Sequence, residues 1–110
     1  MEKIDYETFS KIDVRIGTVL AAEIIPDADR LILMKVDLGE AEPRQIVSGI
    51  REYISGPEEM VGKQFPFVAN LEPRTIKGHE SNGMIFAAGE ADSFTFLAPT
   101  RSVPPGTSLR

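Results

Sequence analysis

Two cations three residues apart, Arg74 and Lys77, stand in the one stretch where charge, small polar groups and chain breakers collect together. The stretch runs from Asn70 through Pro73, Gly78 and Ser81 to Met84, with apolar sequence at both ends (Phe67-Val68-Ala69 and Met84-Ile85). It reads as a loop anchored by core on either side. Arginine offers a fixed fork of donors and lysine a mobile point charge, and both suit phosphate oxygens or base edges. Asn70 and Ser81 add an amide and a hydroxyl, which bond either to local backbone, as is common in turns, or to an exposed base edge. Met84 opens the next apolar run. Its flexible thioether belongs either in the core or against an unstacked base. Gly78 and Gly83 serve backbone conformation.

Other chemistries lack their parts. His79 is the single histidine and there is no cysteine, so thiolate metal sites, cysteine nucleophiles and disulfides are excluded, and no set of nitrogen or sulfur ligands exists for a structural zinc. Ser48 lies in Val47-Ser48-Gly49, without the glycine two residues upstream that marks a nucleophile elbow. No glycine-rich phosphate loop ending in Gly-Lys-Ser/Thr is present. Nothing in the spacing of the carboxylates requires them to converge. The chain is expected to be non-catalytic and to need no cofactor or metal.

The elements that would position this loop are mostly strands. Tyr6, Phe9 and Ile12 are spaced for a short N-terminal helical turn. From Val14 the period becomes two, with Val14, Ile16, Leu20, Ala22 and Ile24 assigned to one face and a bend or bulge expected at Gly17. After a turn at Pro26–Asp29, a second strand is predicted over Leu31–Leu38, with Ile32, Met34, Val36 and Leu38 facing inward. A third runs from Arg44 to Ile50. Pro57 opens a short helix over Gly56–Val61 with acids in its first turn. A fourth strand covers Gln64–Ala69, where Pro66 points to an edge or bulge, and a fifth Met84–Ala88. Spacing alone supports a small all-β barrel or sandwich with short helices. About twenty residues follow Gly89, carrying Phe94, Phe96, Leu97 and Val103 with Pro99, Pro104 and Pro105. Such an extension must cover the barrel or pack against another copy.

At 110 residues the chain makes one domain, residues 1–110, with a single modest core. No run is long enough to span a bilayer, the N-terminus carries no basic leader followed by an apolar stretch, and the lack of cysteine fits a reducing cytoplasm. The net charge of −5 opposes general coating of nucleic acid. Its distribution does not. Residues 1–62 carry 7 Lys/Arg against 13 Asp/Glu, whereas residues 63–110 carry 5 against 4. An acidic remainder would repel RNA everywhere except one oriented patch.

The run Asn70-Leu71-Glu72-Pro73-Arg74, followed by Lys77-Gly78 and Ser81-Asn82-Gly83-Met84, resembles the signature of the tRNA-binding domain family. These are oligonucleotide-binding-fold (OB-fold) modules attached to methionyl-tRNA synthetases and also found as stand-alone dimers. Pro26-Asp27-Ala28-Asp29-Arg30-Leu31 and Arg44-Gln45-Ile46-Val47-Ser48-Gly49 resemble two further family blocks, so the likeness extends from Phe9 to Gly106. Ile25 stands where many relatives have histidine, and the total charge is more acidic than expected for tight binding, which bears on affinity and not on fold. The resemblance implies a five-stranded Greek-key OB barrel, a homodimer built with the terminal segments, and tRNA contact through Arg44, Ser48, Asn70, Arg74, Lys77, Ser81 and Met84. Because the chain starts at methionine and stops near the family's usual end, a free-standing protein is expected over a fragment, possible partners being an aminoacyl-tRNA synthetase or unfolded export peptides.

Barrels that coat single strands use several aromatic stacking platforms. Here tryptophan is absent, and only Tyr53 and Phe86 are candidate platforms, so recognition of a folded RNA by shape and backbone is expected. The alternative function, implied by stand-alone relatives of the CsaA type, is a dimeric peptide-binding chaperone. Leu33, Phe94 and Phe96, if outward and exposed, would line its groove.

Overall fold

The computed structural model describes all 110 residues. Strands β1 (Val14–Ile24), β2 (Ile32–Asp37), β3 (Arg44–Ser48) and β4 (Gln64–Val68) follow a short helix, α1 (Tyr6–Phe9), which Asp5 caps by accepting from the Thr8 N–H (2.8 Å). A 3₁₀ turn at Pro57–Met60 lies between β3 and β4, led by its proline. Then come β5 (Arg74–Ile76), β6 (His79–Ser81), β7 (Met84–Ile85), β8 (Ala87–Ala88) and β9 (Thr95–Phe96). The main sheet is antiparallel in the order β3-β2-β1-β4-β7. It curls until β3 meets β6 and β7, where the Asn82 N–H donates to the Gln45 carbonyl (2.8 Å). The result is an almost closed five-strand barrel of the OB type.

β2 follows its expected pattern. Ile32, Met34, Val36 and Leu38 are fully buried with Val19, Ile46, Met60, Phe65 and Phe67 in the barrel core.

β1 departs from its expected face. Its register slips between Val19 and Ala21, so Leu20 is the extra residue of a bulge and lies exposed while Val19 is fully buried. Before the bulge the inward positions are Gly17 and Val19, and Ile16 faces outward. Gly17 marks a close approach rather than the bend: a β-carbon there would sit 2.7 Å from both Leu38 Cδ2 and Val36 Cγ1. Alternation misled because the bulge shifts its phase: Val19 is inward before it and Ala22 packs against the core after it. Along the edge of residues 14–16 that β2 does not reach, the C-terminal segment pairs with the backbone, the Ile16 N–H donating to Thr107 (2.8 Å), the Gly106 N–H to Ile16 (2.7 Å) and the Leu109 N–H to Val14 (2.9 Å).

Pro66 lies in a strand flanked on both sides. Its carbonyl accepts the Phe86 N–H (2.9 Å), but it has no N–H to return. The β4–β7 ladder therefore ends at Ile85, and the expected fifth strand over Met84–Ala88 divides at Phe86 into β7 and β8.

The extension covers the barrel within the same chain. Phe94 stacks on Tyr53 (centroids 3.8 Å, 4° between planes) and meets Phe96 edge-on (4.9 Å), which in turn packs on Phe65 (5.2 Å).

Candidate nucleic-acid interface

The stretch read as a loop contains a β-hairpin. β5 and β6 pair Arg74 with Ser81, Thr75 with Glu80 and Ile76 with His79. The connecting Lys77 and Gly78 both have positive φ (50° and 80°), as a two-residue type I′ turn requires. The left-handed conformation costs a lysine about 1 kcal/mol or more, so the turn puts a cation at the tip against its backbone preference.

One face of this hairpin lies on the barrel. Ile76 packs on a second small core formed by Ile25, Ala28, Leu33 and Val47, outside the main one. Leu33 and Val47 are partners across β2 and β3. They point out of the barrel and are buried beneath the hairpin. Leu33 is only 5% exposed, and Phe94 and Phe96 are half-buried against the core, so the outward apolar groove expected for peptide binding loses its floor. The second core also joins two connections, Ile25–Leu31 between the first two strands and residues 69–83 between the fourth and fifth barrel strands. In barrels of this type those two connections flank the oligonucleotide-binding face.

Ser81 closes the seam. Its hydroxyl, 2% exposed, accepts the Val47 N–H (2.9 Å) and faces the carbonyls of Gly83 (3.2 Å) and Val47 (3.4 Å). A side chain thus replaces a ladder bond between β3 and β6. Gln45 adds a second tie, its Nε2 donating to the Glu80 carbonyl (2.9 Å).

The hairpin's root is fixed by a ring of charges. Arg44 forms a fork to Glu40 (Nε 2.8 Å, Nη2 2.7 Å) and donates its third nitrogen to the Ala69 carbonyl. The Ala69 N–H donates to the Asp13 carbonyl (2.7 Å). Asp13 pairs with Arg15 (2.8 Å), and Arg15 returns to Glu40 (3.3 Å). Asn70 locks the same point, accepting the Asp13 N–H (2.8 Å) and donating to the Lys11 carbonyl. Hydrogen bonds from Arg44, aided by the charges of Arg44 and Arg15 against the cost of burial, hold the Glu40 carboxyl below its usual range. Arg15 is held above its ordinary value, chiefly by its hydrogen bond to Asp13.

The seven sequence-predicted residues therefore divide. Arg74, Lys77 and Met84 (43% exposed) are open to solvent, and the Ser48 hydroxyl, half-buried at the end of β3, makes no bond within the protein. Arg44, Asn70 and Ser81 are committed to other protein groups. Every ion pair in the structure uses Arg15 or Arg44 as its cation, so Arg74 and Lys77 are electrostatically unspent. Of the two candidate platforms, Tyr53 has one face covered by Phe94 and its hydroxyl receives the Ala91 N–H (3.2 Å), whereas Phe86 is 45% exposed. Sequence reasoning did not single out Asn82, whose half-exposed side chain makes no bond within the protein while its backbone holds the seam.

A family model described as "Putative tRNA binding domain" matches residues 14–108. The chain belongs to this tRNA-binding domain family. It is 47% identical over 110 residues to the methionine–tRNA ligase of Porphyromonas gingivalis, covering 99% of this chain and 16% of the ligase. Against the ligase of Methanoregula boonei it is 50% identical over 107 residues, covering 97% of this chain and 16% of that one. The chain thus spans about a sixth of these curated relatives (16%). Among solved structures, the MetRS-related protein of Pyrococcus horikoshii superposes with a TM-score of 0.91 at 39% identity, each chain covered completely. The chaperone CsaA of Bacillus anthracis gives 0.87 at 30% identity, covering 99% of this chain and 100% of that one. No group of three or more His, Cys, Asp or Glu could hold a metal ion, and no helix is long and apolar enough to cross a membrane.

Proposed function

We propose that this chain is a non-catalytic tRNA-binding module, acting in the cytoplasm as a homodimer, either free-standing or as an accessory to a methionyl-tRNA synthetase. The observation that carries the reading is the placement of Arg74 and Lys77. Neither takes part in an ion pair, and both stand on a hairpin riveted to the barrel by Ile76 and Ser81, in the connection through which such barrels take oligonucleotides. Arg74 and Lys77 supply phosphate contacts, Ser48 a hydrogen bond, and Met84 an apolar contact to an unstacked base. Arg44, Asn70 and Ser81 position them. With one half-covered and one exposed aromatic platform, recognition rests on shape and backbone of a folded RNA.

The dimer is supported by α1. Its four residues bury nothing, leaving Tyr6 (80%) and Phe9 (52%) exposed beside Ile12. A helix this short does not hold itself in water. Asn70 ties the backbone of Lys11 and Asp13, and Leu109 pairs with Val14, so the exposed Ile12, Leu71 and Leu109 each stand at or beside one of these backbone ties.

The test is tRNA binding measured from 50 to 200 mM salt for the wild type and the double variant R74E/K77E. Loss of two phosphate contacts should weaken binding and lower the slope of log affinity against log salt by about 2. Equal affinity and slope would refute the reading, and salt-insensitive binding of unfolded polypeptide with none of tRNA would establish the chaperone alternative.

A further inference from the structure

A second cationic feature lies away from the hairpin. Lys63, just before β4, and Arg101, in the C-terminal extension, line one cleft of about 280 Å³ together with Phe65 and Pro99. No carboxylate lines it, in a chain where acids outnumber bases 17 to 12. Neither cation takes part in an ion pair. The two acids nearest in sequence turn away. Glu59 accepts the Ser55 N–H (2.9 Å), and the Glu58 carboxylate folds back against Gly56.

The cleft's second wall is fixed. Gln64 pairs with the Val103 backbone through both ends of its amide (2.7 and 3.1 Å) and donates to Thr18 (3.0 Å), stapling the extension to β4 and β1. Just upstream, the Arg101 and Ser102 N–H groups and the Ser102 hydroxyl make no bond within the protein. The cleft therefore presents two unpaired cations with free neutral donors and no competing acceptor charge. That set suits a phosphate and opposes cations or acidic peptides. It is also smaller than the usual range of pockets for drug-sized ligands, about 300–1,000 Å³.

We infer that this cleft is a second phosphate-binding point, at which Lys63, Arg101 and Ser102 hold the RNA backbone. The inference rests on the tRNA-binding reading above. Lys63 stands five residues before Val68, the partner of Met84. At about 3.3 Å per residue the two points are roughly 17 Å apart along β4. Anchors at the two ends of one rigid strand, the cleft beside its start and Met84 beside its end, fix the direction in which a folded RNA crosses the barrel, which a single hairpin tip does not.

The experiment compares the wild type, K63E/R101E and the milder K63Q/R101Q in tRNA binding across 50–200 mM salt, with thermal melts to verify folding. Loss of two contacts should lower the salt slope by about 2, shrinking the affinity loss over that salt range roughly tenfold. In parallel, inorganic phosphate is titrated while backbone amide NMR shifts are followed. Shifts at residues 62–64 and 101–102 in the wild type, absent in K63E/R101E, support the site. If the wild type binds tRNA and both cleft variants keep its slope, the inference is overturned and the hairpin reading stands. If the wild type binds no tRNA, the hairpin reading fails, and the phosphate titration alone decides: local shifts assign the cleft to free phosphate ligands, and none overturns it.

Discussion

Ser81→Ala separates the two jobs a serine could have in this stretch. In the structure the hydroxyl, 2% exposed, is the partner of the buried Val47 N–H at 2.9 Å. Removing it takes away the partner of that N–H and of the seam carbonyls it faced. An orphaned buried group costs about 1–3 kcal/mol. The alanine methyl fits within the space of the serine, so no overpacking opposes the loss. For a domain of this size, 1 kcal/mol corresponds to roughly 4 °C or more in Tm, so the variant should melt about 4–12 °C lower. Urea denaturation at constant m-value gives the free energy directly. Binding to tRNA, measured well below the new Tm, should keep the wild-type salt slope because no charge on the contact face has changed. An unchanged Tm together with a large loss of tRNA affinity would refute the assignment and make Ser81 a direct RNA contact.

Lys77→Asn should raise stability by up to about 1 kcal/mol, since Asn-Gly is the favoured type I′ pair and asparagine tolerates positive φ, while lowering the salt slope of tRNA binding by about 1. Denaturation and binding curves moving in the same direction would contradict it. Glu40→Gln tests the charge ring through pH. The Glu40 carboxyl is depressed in the folded protein, so its contribution is complete above the unfolded glutamate value of about 4.3 and is lost as pH falls through the folded value. The stability gap between wild type and variant should thus be largest near neutrality and close in acid, below about pH 4. A gap that does not change between pH 7 and pH 3 would show that Glu40 is not the group responsible.

Much of the barrel was legible because β2 and its turns agree with each other: four apolar residues at period two between Pro26–Asp29 and Gly39–Pro43 admit one register. β1 was legible as a strand but not in its facing, since the bulge at Leu20 shifts the phase of the strand and leaves no mark in an unbroken apolar run. The hairpin escaped because Arg-Thr-Ile and His-Glu-Ser have little hydrophobic contrast. Its one local signal was Lys77-Gly78, a pair suited to two positive-φ positions. The charge of Arg74 and Lys77 could be read directly, but their freedom from partners could not. Nor could the commitment of Ser81, whose partner is 34 residues away. For Arg44 the partner was near at hand, Glu40 four residues earlier, and the resemblance to a contact residue obscured it.

The hairpin's two faces have separate obligations. Ile76 and Ser81 carry its attachment, while the side chains of Thr75 and Glu80 make no bond to the barrel. Selection can therefore rewrite this outward pair without renegotiating the barrel beneath. A scaffold divided in this way lets closely superposable proteins differ at the outward face while keeping one barrel.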